Sequence, residues 1–117
     1  VNVKGARSAR DARTAARAVA DSLLVKTAMF GCDPNWGRIL SAIGQTEARM
    51  RLDRARVSAG GLPVYDRKPL DIDARAAAKK LKRKEVSIDV DLRMGRGAAT
   101  VSTALCSRRG GGSRRCT

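Results

Sequence analysis

The sequence predicts an α/β (α+β) fold, with helices packed on a mainly antiparallel sheet. Apolar residues recur at helical spacing over residues 12–24 and again over 36–43. EVSIDVDLR (85–93) alternates strictly between apolar and polar residues, and two short apolar runs flank Gly60-Gly61. A chain of 117 residues with 43% apolar content is the size of one globular domain.

Each element has its own signal. VNVKG reads as the end of a strand, with Val1 and Val3 alternating with polar neighbours and Gly5 stopping it. Ala12, Ala15, Ala16, Val19, Ala20, Leu23 and Leu24 then share one face of a 3.6-residue repeat, opposite Arg10, Arg13, Arg17 and Asp21. Ser8 followed by Asp11 resembles a capping box, with aspartate in place of the usual glutamate. DSLLVKTAMF is short and apolar, and its Lys26-Thr27 reads as an exposed pair in an ordinary helical turn.

GCDPN interrupts this run. Pro34 suits the first turn of a new helix, with Asp33 as its cap. Trp36, Ile39, Leu40 and Ile43 continue at i, i+3, i+4 and i+7, and Gly44 ends the helix. QTEARMRLD connects to ARVSAG and LPVYD, a hairpin turned at Gly60-Gly61. Asp71 or Asp73 is placed to cap a helix from Ala74 to about Lys82, whose lysine-rich end KKLKRK suits the negative helix terminus. In EVSIDVDLR, Val86, Ile88, Val90 and Leu92 form the apolar face; MGRG turns, and AATVSTAL is the expected antiparallel partner. Residues 1–105 form the predicted domain, and residues 106–117 a basic Gly/Arg tail with the composition of disorder.

Composition narrows the function classes. All eleven acids and nineteen of the 25 Lys/Arg lie at or before Asp91, leaving six arginines unopposed beyond it. A net charge of +14 favours polyanions through counterion release. It makes a small basic nucleic-acid-binding module, using KKLKRK and RRGGGSRR, the alternative reading. Cys32, Cys106 and Cys116 form no CxxC pair and the chain has no histidine. A zinc finger or a Ser/His/Asp triad carried by this chain alone is therefore excluded, and no metal site is expected. Free thiols in a reducing cytosol are the default. No segment approaches the roughly 20 apolar residues of a membrane span. A soluble, cytoplasmic protein without membrane contact is expected.

Phe30, Trp36 and Tyr65 are the only aromatics, so the core must be built from Ala, Val, Leu, Ile and Met. Such a core is thin, which predicts marginal stability alone or docking onto more protein. The start at Val1 rather than Met suggests a fragment, a processed product or an incomplete chain. DPNWGR concentrates the rare residues and has three readings. Asp33, Trp36 and Gly37 can build a helix start; Asn35 and Arg38 can offer donors to a carboxylate; Trp36 and Arg38 can anchor a partner.

LVKTAMFGCDPNWGRILSAIG, Leu24 to Gly44, resembles the signature block in the C-terminal part of the bifunctional glutamate/ornithine N-acetyltransferases of arginine biosynthesis. VNVKGARSARDARTAARAVADS before it, and LPVYDRKPLDID and EVSIDVDLRMGRGAAT after it, are similar to the family's flanking elements in the same order. The resemblance implies an N-terminal-nucleophile enzyme whose precursor cuts itself before a threonine. That hydroxyl accepts acetyl from N-acetylornithine and passes it to glutamate, with acetyl-CoA a further possible substrate and no bound cofactor. It implies that the nucleophile and oxyanion donors lie upstream, so that this chain holds no catalytic residue and is inactive alone. The implied partners are the alpha chain and the N-terminal part of the beta chain in a hetero-oligomer; nucleic acid is not an expected one. Asp33, Asn35, Trp36 and Arg38 become substrate-neighbouring or structural residues. Family members close with an aromatic strand and an Asn-containing segment ending in Thr or Ser. Here VSTALCSRRGGGSRRCT stands instead, so Thr117 matches a substrate-binding residue by position only. A tail altered by a reading-frame shift is the expectation.

Overall fold

The computed structural model describes residues 1–82 and 85–103, and the backbone of two short strands at 107–108 and 114–115. The elements run β1 (Asn2–Ala6), α1 (Ala9–Asp21), α2 (Leu23–Phe30), α3 (Trp36–Gly44), β2 (Arg56–Ala59), β3 (Leu62–Asp66), α4 (Ala74–Leu81), β4 (Ile88–Asp91) and β5 (Gly97–Thr100). The sheet order is β3-β2-β4-β1-β5, and β1–β4 is its one parallel pair. The predicted mainly antiparallel α+β arrangement is therefore present. β6 (Ser107–Arg108) and β7 (Arg114–Arg115) pair with each other. The remaining tail positions, on which the expectations of disorder and of a role for Thr117 fall, lie outside the described residues.

Local chemistry explains where helices start and stop. Ser8 Oγ accepts from the Asp11 N–H at 3.1 Å and caps α1. The other half of the capping box is not formed; the Asp11 carboxylate accepts instead from the Arg49 N–H at 3.2 Å. α1 buries Ala12, Ala15, Ala16, Val19 and Ala20. The predicted face stops there, because Ser22 leaves the helix at φ −70°, ψ 119° and its Oγ caps a second helix through the Val25 N–H. Leu23 and Leu24 consequently begin α2 and stand 66% and 62% exposed. Asp73 caps α4 through the Arg75 N–H, as its position suggested.

The hairpin turns at Gly60 and Gly61, both at positive φ (59° and 83°), as a two-residue primed turn requires. The partner of β4 differs from expectation. β1 lies between β4 and β5, and β5 pairs antiparallel with β1 through Asn2–Thr100 and Val3–Ala99. Residues 92–96 wrap around the end of β1 to reach its far side. The Leu92 N–H donates to Lys4 O at 2.9 Å, and the Met94 and Gly95 N–H groups both donate to Gly5 O. Alternation in a sequence reports a strand's faces but not its neighbours, so a parallel strand from the other end of the chain could insert.

The sheet has two unlike faces. Val3, Val57, Val90 and Ile88 join residues of α1, α2, α3 and α4 in one core, and ten of the 24 buried apolar residues among those described are alanine. The opposite face is a polar ladder. Thr100 Oγ1 donates to Asn2 Oδ1 at 2.8 Å, and Asn2 Nδ2 donates to Asp89 Oδ1 at 2.9 Å. One register step on, Lys4, Asp91, Arg56 and Asp66 lie side by side with alternating charge. Lys4–Asp91 and Arg56–Asp66 are 4.0 and 3.8 Å apart, with exposed cations on half-buried carboxylates.

Candidate functional site

The DPNWGR segment links α2 to α3 through a tight turn. α2 ends at Gly31, Cys32 takes φ 58°, and the Asp33 N–H returns to Ala28 O at 2.8 Å. The Asn35 N–H then donates to Asp33 O at 2.8 Å, closing a turn around the buried Pro34. This turn keeps Pro34 outside the helix and gives the cap to Asn35, whose Oδ1 accepts from the Arg38 N–H at 3.1 Å. Asp33 is thus not the cap that the sequence suggested. Its carboxylate accepts from Asn35 Nδ2 at 3.4 Å and orients the capping amide.

Trp36 and Arg38 leave this turn in different roles. The Trp36 ring lies 4.9 Å from the Tyr65 ring at a 34° tilt, and Tyr65 Oη donates to Leu52 O at 2.7 Å. Trp36 therefore fastens α3 to β3. Arg38 Nη1 donates to Leu24 O at 3.1 Å, tying the first turn of α3 to the start of α2.

A shallow groove of about 540 Å³ opens between the end of α1, the start of α2 and α3. Asn35 and Arg38 line it, together with Asp21, Ser22, Leu24 and Thr46. Of the four residues singled out by the sequence, two reach the groove; Asp33 supports Asn35 from behind, and Trp36 faces Tyr65. Thr117 lies outside the described residues. Asp21, Ser22 and Thr46 were not singled out. No local signal in the sequence marks them, because the groove is assembled from three helices.

Arg38 offers guanidinium donors and Asp21 a carboxylate. The Ser22 hydroxyl accepts from the Val25 N–H, and the exposed Thr27 hydroxyl donates to Leu23 O at 2.8 Å. Lys26-Thr27 lies within α2, as an ordinary helical turn would place it. Among the described residues, no three His, Cys, Asp or Glu side chains are grouped to hold a metal ion, and no helix is long and apolar enough to cross a membrane.

A second charged cluster joins the polar sheet face to the β4–β5 crossing. Arg93 Nη1 donates to Asp66 Oδ1 at 2.7 Å and Nη2 to Oδ2 at 3.4 Å, with Arg67 at 3.5 Å and Arg56 at 3.8 Å. The Arg93 hydrogen bond, followed by the charges of Arg93, Arg67 and Arg56 against some burial cost, holds the Asp66 carboxyl below its ordinary 3.8. The stabilising contribution is fully present above that ordinary value and is lost as pH falls through the lower folded value. Asp66→Asn is therefore expected to lower thermal stability at neutral pH and to flatten its decline on acidification, measured as Tm against pH. An unchanged acid slope would contradict this assignment.

Residues 1–108 match the model of the ArgJ family. The arginine biosynthesis bifunctional protein ArgJ of Thermus thermophilus is 46% identical over 98 residues, which are 84% of this chain and 26% of that protein. The glutamate N-acetyltransferase of Methanopyrus kandleri is 43% identical over 103 residues, 85% of this chain and 27% of that protein. A crystal structure of the arginine biosynthesis bifunctional protein ArgJ from Bacillus halodurans superposes with a TM-score of 0.79 at 31% identity, covering 83% of this chain and 46% of that one. The chain spans about a quarter of the length of the curated relatives it matches.

Proposed function

The chain belongs to the ArgJ family, and from that premise we propose that it is part of an acetyltransferase moving acetyl from N-acetylornithine to glutamate in arginine biosynthesis. The family match over residues 1–108 carries this reading. In it, an upstream threonine forms the acetyl-enzyme and the present residues build a wall of the substrate cleft. Two observations support that division. The groove offers the Arg38 guanidinium for recognition, and two of the three hydroxyls that line it, those of Ser22 and Thr46, bond to the backbone. The chain also covers 46% of the solved relative but about a quarter of the curated ones, so the solved chain is near half their length. That ratio fits a precursor cut into alpha and beta chains that stay together as a cytoplasmic hetero-oligomer. Acetyl-CoA enters this scheme as an alternative acetyl donor, consumed as substrate with no cofactor bound.

The charge does not favour the nucleic-acid reading. Arg7, Arg51, Arg56, Arg67 and Arg93 are each paired with an aspartate rather than arrayed toward a common groove. The proposed activity is tested by producing the chain together with the preceding three quarters of the Thermus thermophilus relative. Glutamate-dependent release of ornithine from N-acetylornithine is expected from the pair and from neither part alone. A folded pair without turnover would overturn the proposal.

A further inference from the structure

The molecule leaves two broad surfaces for the rest of an enzyme to cover, and they differ in chemistry. The outer sheet face already satisfies itself, with Thr100–Asn2–Asp89 hydrogen bonded across three strands and Lys4–Asp91–Arg56–Asp66 alternating in charge. Covering it would strip water from paired charges with little to gain. The corner between α1 and α2 is the opposite. Leu23 and Leu24 are 66% and 62% exposed, are adjacent in sequence, and border the groove that Leu24 itself lines. Leu52 and Ile72, the other exposed large apolar residues among those described, stand singly on connecting segments, which needs no explanation.

The Leu pair is not a product of loose packing. The Ser22 hydroxyl and carbonyl start α2, the latter accepting from the Lys26 N–H at 3.0 Å, and Arg38 clamps the Leu24 carbonyl. The corner is thus built to hold two leucines outward. Among the described residues, Arg38 Nη2 and Nε have no protein partner and remain available beside the groove.

We propose that the Leu23–Leu24 corner, with the adjoining groove over Arg38, is where the preceding part of a family chain docks, through an apolar segment flanked by a carboxylate. This rests on the acetyltransferase reading above. Three quarters of the relatives' length lies outside the match and supplies the occupant. The carboxylate follows from the free donors of Arg38 beside the groove. Burial of the leucines provides the affinity, and the paired sheet face stays in water.

The test uses the full chain and the preceding three quarters of the Thermus thermophilus relative, purified separately. Leu23→Lys with Leu24→Lys is compared with Lys4→Ala with Asp91→Ala on the polar face; circular dichroism verifies that each variant is folded. Titration of the wild-type chain should give a complex, the leucine variant should bind about a hundredfold more weakly, and the sheet-face variant within about threefold of wild type. Hydrogen exchange at residues 23–26 should slow in the complex. Equal binding by the leucine variant would overturn the docking surface while leaving the acetyltransferase reading intact. A wild-type chain that forms no complex would overturn that reading and the docking together. A dimer of the chain alone that the leucine substitutions dissolve would place a second copy on the corner and overturn the proposed occupant.

Discussion

Gly5→Ala is expected to cost about 3–5 kcal/mol and to leave the domain at the edge of folding, since small domains have only about 5–15 kcal/mol in total. Gly5 holds φ 68°, which L-residues reach at a cost of about 1–2 kcal/mol. Space adds the larger part. A Cβ at this position would press on Asp91 Oδ1 and sit 2.6 Å from the Arg93 nitrogen. Neither can yield freely, because the Arg93 N–H donates to Asp91 Oδ1 and the Met94 and Gly95 N–H groups donate to Gly5 O. The substitution therefore strikes the crossing that carries the chain from β4 over β1 to β5. Gly61→Ala is the matched comparison: φ is 83° but nothing lies within 4 Å, so about 1 kcal/mol is expected. Urea denaturation of both variants decides the point, and equal losses would contradict the close approach at Gly5.

Ile39→Ala is expected to cost about 3–4 kcal/mol through lost transfer energy and an unfilled cavity. Ile39 is fully buried in α3, one turn beyond the Asn35 cap. Its surroundings magnify the effect. Many residues of the core cluster it belongs to are alanines, which have no flexible ends to move into the vacated space. The same helix carries Arg38, so a loosened α3 should also weaken the Arg38–Leu24 tie at the groove. Leu23→Ala, one of the exposed leucines, should fall within about 0.5 kcal/mol of wild type when the chain is alone. Chemical denaturation of the two variants measures the difference. A small loss at Ile39 would mean that the alanine-rich core collapses around the cavity.

Much of this structure is legible in the sequence wherever a signal is local. Ser8 and Asp73 cap the helices they precede, Gly60-Gly61 turns the hairpin, and the alternation of 86–92 puts Ile88, Val90 and Leu92 in the core. Local signals also fail in an informative way at Ser22. The apolar period runs unbroken through Leu24, yet a single serine hydroxyl competes successfully for the next helix start and turns two leucines outward. The cap of α3 is Asn35, not the Asp33 that the sequence points to. A turn closed around Pro34 decided between them, and turn closure depends on geometry that composition does not carry. The insertion of β1 between β4 and β5 joins strands about 90 residues apart and has no local signature. The groove is likewise assembled from α1, α2 and α3, so Asn35 and Arg38 could be named in advance while Asp21 and Thr46 could not.

On the function proposed above, these residues shape a cleft and recognise substrate, while the acetyl-accepting hydroxyl belongs to the preceding part of the enzyme. Intact-mass spectrometry of the purified chain after incubation with N-acetylornithine tests it most directly. An unchanged mass is expected for the chain alone, and an added acetyl group only on the preceding part when the two are combined. An acetyl group carried by a serine or threonine of the 117-residue chain would contradict it.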